Sequence, residues 1–233
     1  HHTAFLRRHA DPTVTITDVG PAHALLGVYG PESRSLLSGL GGGDLTSPYL
    51  DLGLAPALAL PATRTGEQGW DLRVPAEYAQ DLYDRISAAG AADLGHRALR
   101  TLRLEKHDPS WAAELTADDN PDEAGLPADP GKPDLLAGPA LRRIRDEGVT
   151  RRLTWFATDA DVVMHGGEVV HGGGASASVR GAGFGHTVGH TIFSAYLPAD
   201  APADVEVEVM GERHPAVRQA VPPYDPRGER LHG

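Results

Sequence analysis

Hydrophobic and polar positions follow two rhythms along this chain, a period of two in short stretches and a helical period in a few longer ones. Residues 14–18 alternate Val and Ile with Thr and predict a strand, and residues 24–29 predict another. Gly30-Pro31 breaks that run. Pro31 suits the first turn of a helix to about Leu40, which Gly41-Gly42-Gly43 then stops. Residues 54–63 are apolar and predict a buried strand, and 70–74 a short one. Pro75 opens a helix to about Ala89 with Ala79, Leu82, Tyr83 and Ile86 on one face. Residues 95–106 form a further helical pattern, in which Leu99, Leu102 and Arg103 share a side.

Between 118 and 133 the composition shifts to Asp, Pro, Gly and Asn, which predicts a loop or linker, and a helix follows over 139–147. The rest reads as short strands between Gly and Pro turns: 152–157, 168–171, 175–179, 191–197, 205–210 and 214–221. Such a series predicts a small antiparallel barrel or sandwich. The fold class is therefore α+β, with a domain boundary near 129–137. The expected division is a first domain at 1–130, a connecting segment at 131–150 and a C-terminal β domain at 151–233.

Composition narrows the chemistry. With 233 residues, 40% of them hydrophobic, the chain is long enough for a sizeable core. A net charge of -11 argues against the phosphate backbone of nucleic acid or an anionic membrane as partner. No apolar run approaches the roughly 20 residues of a membrane helix. An acidic balance of this kind points to the cytoplasm. The chain has 0 Cys, which excludes thiolate nucleophiles, disulfides and Cys-ligated metals.

The most informative stretch is Thr65-Gly66-Glu67-Gln68-Gly69-Trp70-Asp71-Leu72. Its glycines let the backbone turn and approach a ligand closely. Trp70 offers a flat apolar face, and the Asp71 carboxylate can accept two parallel hydrogen bonds from an amidine-like edge. Taken alone, the segment also reads as a hairpin turn with a core Trp. A second motif, Gly95 to Lys106, holds Ala98-Leu99 and Leu102-Arg103-Leu104-Glu105-Lys106, and Trp111, Glu114-Leu115-Thr116 and Pro121 to Leu126 continue it. Arg103 and Glu105 lie two apart and do not face each other on a helix, so each needs another partner. For Arg103, a structural ion pair and a ligand contact remain equally open.

Together these segments resemble the folate-dependent aminomethyltransferases: the glycine-cleavage T-protein and, more nearly, the folate domains of dimethylglycine and sarcosine dehydrogenases. Weaker matches fall in the same order, from Gly30-Pro31 to Tyr224-Asp225-Pro226. The resemblance implies a T-protein-like folate domain, represented by its later part, followed by a small antiparallel β-barrel. It implies tetrahydrofolate as cofactor and one-carbon transfer, aminomethyl or methyl, as activity. In the family the first motif begins with Tyr and ends in a pterin-gripping Glu. Here Arg64 and Asp71 take those places, and Asp is shorter by roughly 1.5 Å. The implied cofactor-binding residues are Asp71, Trp70, Glu67, Arg64, Arg103, Trp111 and Tyr224. The family's catalytic Asp lies in a region ahead of the segment matching Val14, so the chain is expected to begin partway through the fold. No residue here inherits that role, and no catalytic residue is assigned.

The implied partners are a methylated amine or another methyl donor, and a flavoprotein or N-terminal polypeptide that completes the enzyme. A non-catalytic folate-binding or scaffolding subunit is the alternative. An iron–sulfur maintenance protein of the same fold ranks last, because that group carries a Cys. Among the 12 His, His186 and His190 lie four apart, but flanking glycines make a zinc-binding helix a poor reading. His107-Asp108 reads as a loop. Ser33, Ser176 and Ser178 lack a nucleophile-elbow setting, and the glycine runs lack the residues of a phosphate loop.

Overall fold

The structure is a computed structural model that describes residues 2–129, 131–132 and 134–231. His1, and the Pro130 and Pro133 of the expected linker, lie outside the described residues. The chain forms two compact units, His1–Thr63 with Glu67–Asp93, and Arg64–Gly66 with Leu94–Gly233. Helix α4 and the motif after it, which the sequence reading joins to the first domain, belong to the second unit.

The first unit is a four-stranded antiparallel sheet in the order β1-β4-β3-β2, from β1 (His23–Tyr29), β2 (Tyr49–Leu52), β3 (Ala55–Pro61) and β4 (Gly69–Pro75). Helix α1 (His2–His9) precedes it, α2 (Ser33–Leu37) follows β1, and α3 (Ala79–Ala88) follows β4. One sheet face and the apolar stripes of α2 and α3 make the core, with Leu37, Leu52, Leu72, Val74 and Leu82 fully enclosed. Two expectations change here. Residues 14–18 join no sheet, because no neighbouring strand takes up their backbone donors and acceptors. The helix begun near Pro31 ends at Leu37 and widens into a π-type turn, Ser38–Gly42, in which Gly41 has φ 112°.

The second unit is built on a closed six-stranded antiparallel barrel in the order β10-β5-β8-β7-β6-β9. Its strands are β5 (Arg151–Thr158), β6 (Val169–Gly172), β7 (Ala175–Gly185), β8 (His190–Pro198), β9 (Asp204–Val209) and β10 (Glu212–Arg218). A barrel, not a sandwich, is the outcome. Alternate residues fill it, among them Phe156, Val170, Phe193, Leu197 and Val207, and the rings of Phe156 and Phe193 stack at 5.4 Å. Helices α4 (His96–Glu105), α5 (Pro121–Ala124) and α6 (Gly138–Glu147) complete the unit. Helix α5 lies in the expected loop. Asn120 accepts from the Glu123 amide at 2.9 Å while Glu123 accepts from the Asn120 amide, which is a capping box.

Helix α4 lies directly on the outside of β7. Gly181, Gly183 and Gly185 alternate along that strand and present bare backbone. A side chain at Gly183 would meet Thr101 and Leu104 at 3.0 and 3.2 Å, and one at Gly185 would meet Glu105 at 3.0 Å. Leu104 thereby reaches Trp155 and Ile192 on the barrel's outer surface.

After α4 the chain reverses at His107, which has φ 54°. Its imidazole stacks on Trp155 at 4.8 Å with 3° between the planes. Burial pushes the imidazole down to about 4 from its ordinary 6.5. The unfolded chain therefore takes up a proton near pH 6.5 and the folded chain only near pH 4. Stability is complete above pH 6.5 and is lost as pH falls toward 4, by up to about 3 kcal/mol. His107→Asn keeps a residue that tolerates positive φ and removes the proton. Its stability should fall less steeply than that of the wild type over this window in urea titrations at successive pH values; parallel curves would rule the account out.

Candidate functional site

The segment singled out by the sequence spans the turn between β3 and β4 and the start of β4. Gly30, at the end of β1, donates its N–H to the Gln68 carbonyl at 2.8 Å. The Ser33 hydroxyl donates to the Gly30 carbonyl at 2.6 Å and is 3.1 Å from the Gln68 carbonyl. These bonds fasten the Gly30-Pro31 turn to the residue just before β4, so two motifs far apart in sequence meet in space. Glu67 sits half-buried in the same turn.

Strand alternation then sorts β4. Trp70, Leu72 and Val74 enter the core, while Gly69, Asp71 and Arg73 occupy the other face. Trp70 is only 4% exposed, and the Arg34 guanidinium lies 5.1 Å from its ring centroid. The sequence reading sets Trp70 and Asp71 against one ligand; the strand puts them on opposite faces.

Tyr29 is an aromatic side chain on the face of Asp71 and lies next to it across the sheet. In the β1–β4 register Gly27 is opposite Asp71 and Tyr29 is opposite Gly69. The phenol of Tyr29 donates a hydrogen bond to Oδ1 of Asp71. Its ring lies over both glycines, and a Cβ at Gly27 or Gly69 would collide with it. Neither glycine has positive φ, so what this site uses is their lack of a side chain. Tyr29 was not among the residues the sequence singled out, because its contact to Asp71 spans 42 positions.

A cavity of about 790 Å³ borders the same face. Leu6, Ile16 and Val19 line it from the N-terminal segment, and Leu25, Leu58 and Arg73 from the sheet. Its volume falls in the range of small-molecule sites, roughly 300–1,000 Å³. Asp71 is one step along β4 from Arg73 on the same side.

Arg64, Arg103, Trp111 and Tyr224 belong to the second unit. Arg103 forms a forked pair with Glu114, Nη1 to Oε2 at 2.7 Å and Nη2 to Oε1 at 3.1 Å, and also donates to the Asp108 carbonyl. Of its two readings, the structural ion pair is the one formed, and it ties α4 to the following loop. Lys106 donates to the carbonyl of Asp225 at 2.7 Å and to its carboxylate at 2.8 Å, which holds that carboxyl below the usual range. Gly66, with φ 78°, packs on the Lys106 stem, so Lys106 links the loop carrying Arg64 to the segment carrying Tyr224. Trp111 is 54% exposed. His186 sits in the turn between β7 and β8 and His190 starts β8, so the pair shares no helix. Among the described residues no group of three or more His, Asp or Glu is placed to hold a metal. None of their helices is long and apolar enough to cross a membrane.

Comparison with known proteins agrees with this architecture. Residues 1–128 match the GCVT N-terminal domain and residues 151–225 the glycine cleavage T-protein C-terminal barrel domain. The chain belongs to the glycine cleavage T-protein family. It is 32% identical over 225 residues to the mitochondrial dimethylglycine dehydrogenase of Homo sapiens, covering 88% of this chain and 26% of that protein. An aminomethyltransferase of Synechococcus sp. (strain CC9902) is 32% identical over 189 residues, covering 73% of this chain and 50% of that one. The glycine cleavage system aminomethyltransferase T of Bartonella henselae shares the fold, with a TM-score of 0.75 and 19% identity over 88% of this chain and 60% of that one. The chain thus spans about a quarter of the human dehydrogenase and half of the Synechococcus enzyme.

Proposed function

We propose that this chain binds tetrahydrofolate and takes part in one-carbon transfer, aminomethyl or methyl, from a methylated amine or a related donor. The observation that carries the reading is Asp71, a half-buried carboxylate on the face of β4 away from the core, the face on which Arg73 lines a ligand-sized cavity. The group fits. A carboxylate is the kind of acceptor that the adjacent ring N–H and amino group of a pterin call for. Bound tetrahydrofolate supplies the nitrogen atoms that accept the one-carbon unit.

The protein's own part is to bind and orient. Asp71 holds the pterin edge, Trp70 anchors the strand beneath it, and Glu67 braces the turn. Arg64, Arg103, Trp111 and Tyr224 keep supporting roles in the second unit, Arg103 through its bond to Glu114. In this reading residues 1–130 are the folate-binding part, 131–150 a connection and 151–233 the barrel domain. A flavoprotein is the proposed partner, and the complex works in the cytoplasm, which cell fractionation would check.

Calorimetric titration with tetrahydrofolate tests the reading. Asp71→Ala should bind roughly 10- to 100-fold more weakly, the worth of a charge-assisted hydrogen-bond pair. Equal affinities would remove Asp71 from the site, and no binding by the unaltered chain would end the proposal. The second reading, a non-catalytic folate-binding subunit, is favoured by Arg64 and Asp71 standing where the family motif has Tyr and Glu. Binding with no transfer from a methylated amine, in the presence of its flavoprotein partner, would select it.

A further inference from the structure

We infer that the cavity over the outer sheet face is a binding site for a small carboxylate with an apolar body, and that Arg73 is its anchor. The inference rests on the cavity and not on tetrahydrofolate. Strand alternation sends Arg73 to the outer face of β4, in a rung that reads Leu25, Arg73, Leu58 and Tyr49 across the four strands. The two positions directly opposite Arg73 are where a sheet places a structural counter-ion. Both hold leucine, and the guanidinium has no hydrogen-bond or ion-pair partner among the described residues. Leu6, Ile16 and Val19 add apolar walls from the N-terminal segment. Ile16 belongs to the alternating stretch that joins no sheet, so that stretch serves the cavity instead. A single planar guanidinium on an apolar floor matches the two oxygens of one carboxylate. A phosphate dianion would call for more cations. The lining's other charged groups are the acids Asp18 and Asp51, with the ring of His23 turned to the Val19 carbonyl at 3.1 Å. The acids leave room for one negative charge. Asp18 is engaged with the Gly20 amide at 2.9 Å. Asp51 stands two strands and two residues from Arg73, roughly 12 Å by sheet spacing and beyond a Debye length of about 10 Å.

Calorimetric titration with octanoate and octanol, and with benzoate and benzyl alcohol, tests the site. No folate is needed, so this inference and the tetrahydrofolate reading can fail separately. At least one acid should bind at millimolar concentration or below, about ten-fold or more tighter than its alcohol. The tighter acid tells an alkyl body from an aryl one. Arg73→Met keeps the unbranched stem and removes the charged fork. It should weaken the acid roughly 10- to 100-fold and leave the alcohol unchanged, a split that a packing role would not give. Leu25→Glu is the second route if that variant folds poorly, since Leu25 is 57% exposed. It sets a carboxylate directly opposite Arg73 and should weaken the acid about ten-fold by occupying the guanidinium. An acid that binds no tighter than its alcohol, or that keeps its affinity in these variants, overturns the inference. So does the absence of acid binding to the unaltered chain at millimolar concentration.

Discussion

Glu114→Ala should cost the second unit about 3–5 kcal/mol, because it strands a buried guanidinium. The Glu114 side chain is fully enclosed and that of Arg103 is 10% exposed. Besides its two bonds to Arg103, Glu114 accepts from the Ser110 amide at 2.9 Å, so the substitution leaves donors on two segments unsatisfied. Glu114→Gln should lose less, since one amide oxygen still accepts while the counter-charge is gone. Denaturant unfolding followed by circular dichroism checks the pair. A loss below about 1 kcal/mol for the alanine variant would mean that water replaces the carboxylate, as at exposed ion pairs.

Phe193→Ala is the second large effect, about 3–5 kcal/mol, from lost transfer free energy and the cavity left behind. Phe193 is 0% exposed inside a closed barrel and stacks on Phe156. A closed barrel has no edge strand that can shift to fill the space. Phe193→Leu should therefore recover more than half of the loss in the same experiment. An alanine variant as stable as the wild type would show that the barrel collapses around the gap.

The sequence was most readable where one physical rule dominated. Strands β1, β3 and β4 were legible as short, mostly apolar runs between breakers, and their alternation over one buried face emerges in the folded sheet. Residues 14–18 show the same alternation without a partner to bond, and periodicity does not report a partner. Strand β2 is a four-residue edge strand with two buried positions, Leu50 and Leu52, too few to form a pattern. Strand β7 runs on through Gly181, Gly183 and Gly185, where glycines that read as a strand's end instead make room for a helix. The capping box at Asn120-Pro121-Asp122-Glu123 was present in the letters and was masked by loop-like composition.

The site was legible in part. Asp71 follows from the motif, and the separation of Trp70 from it follows from the period of a strand. Tyr29 required the register between β1 and β4, which only the folded sheet supplies. Arg103 needed a partner by the helical spacing argument, but Glu114 becomes that partner through the reversal at His107.

The glycine ladder on β7 has a consequence for how this domain diversifies. A barrel wall that bears a helix this closely resists enlargement, since even one methyl group at position 183 would press on the side chains of Thr101 and Leu104. These three positions thus act as a ruler for how near the helix and the loop after it can approach the wall.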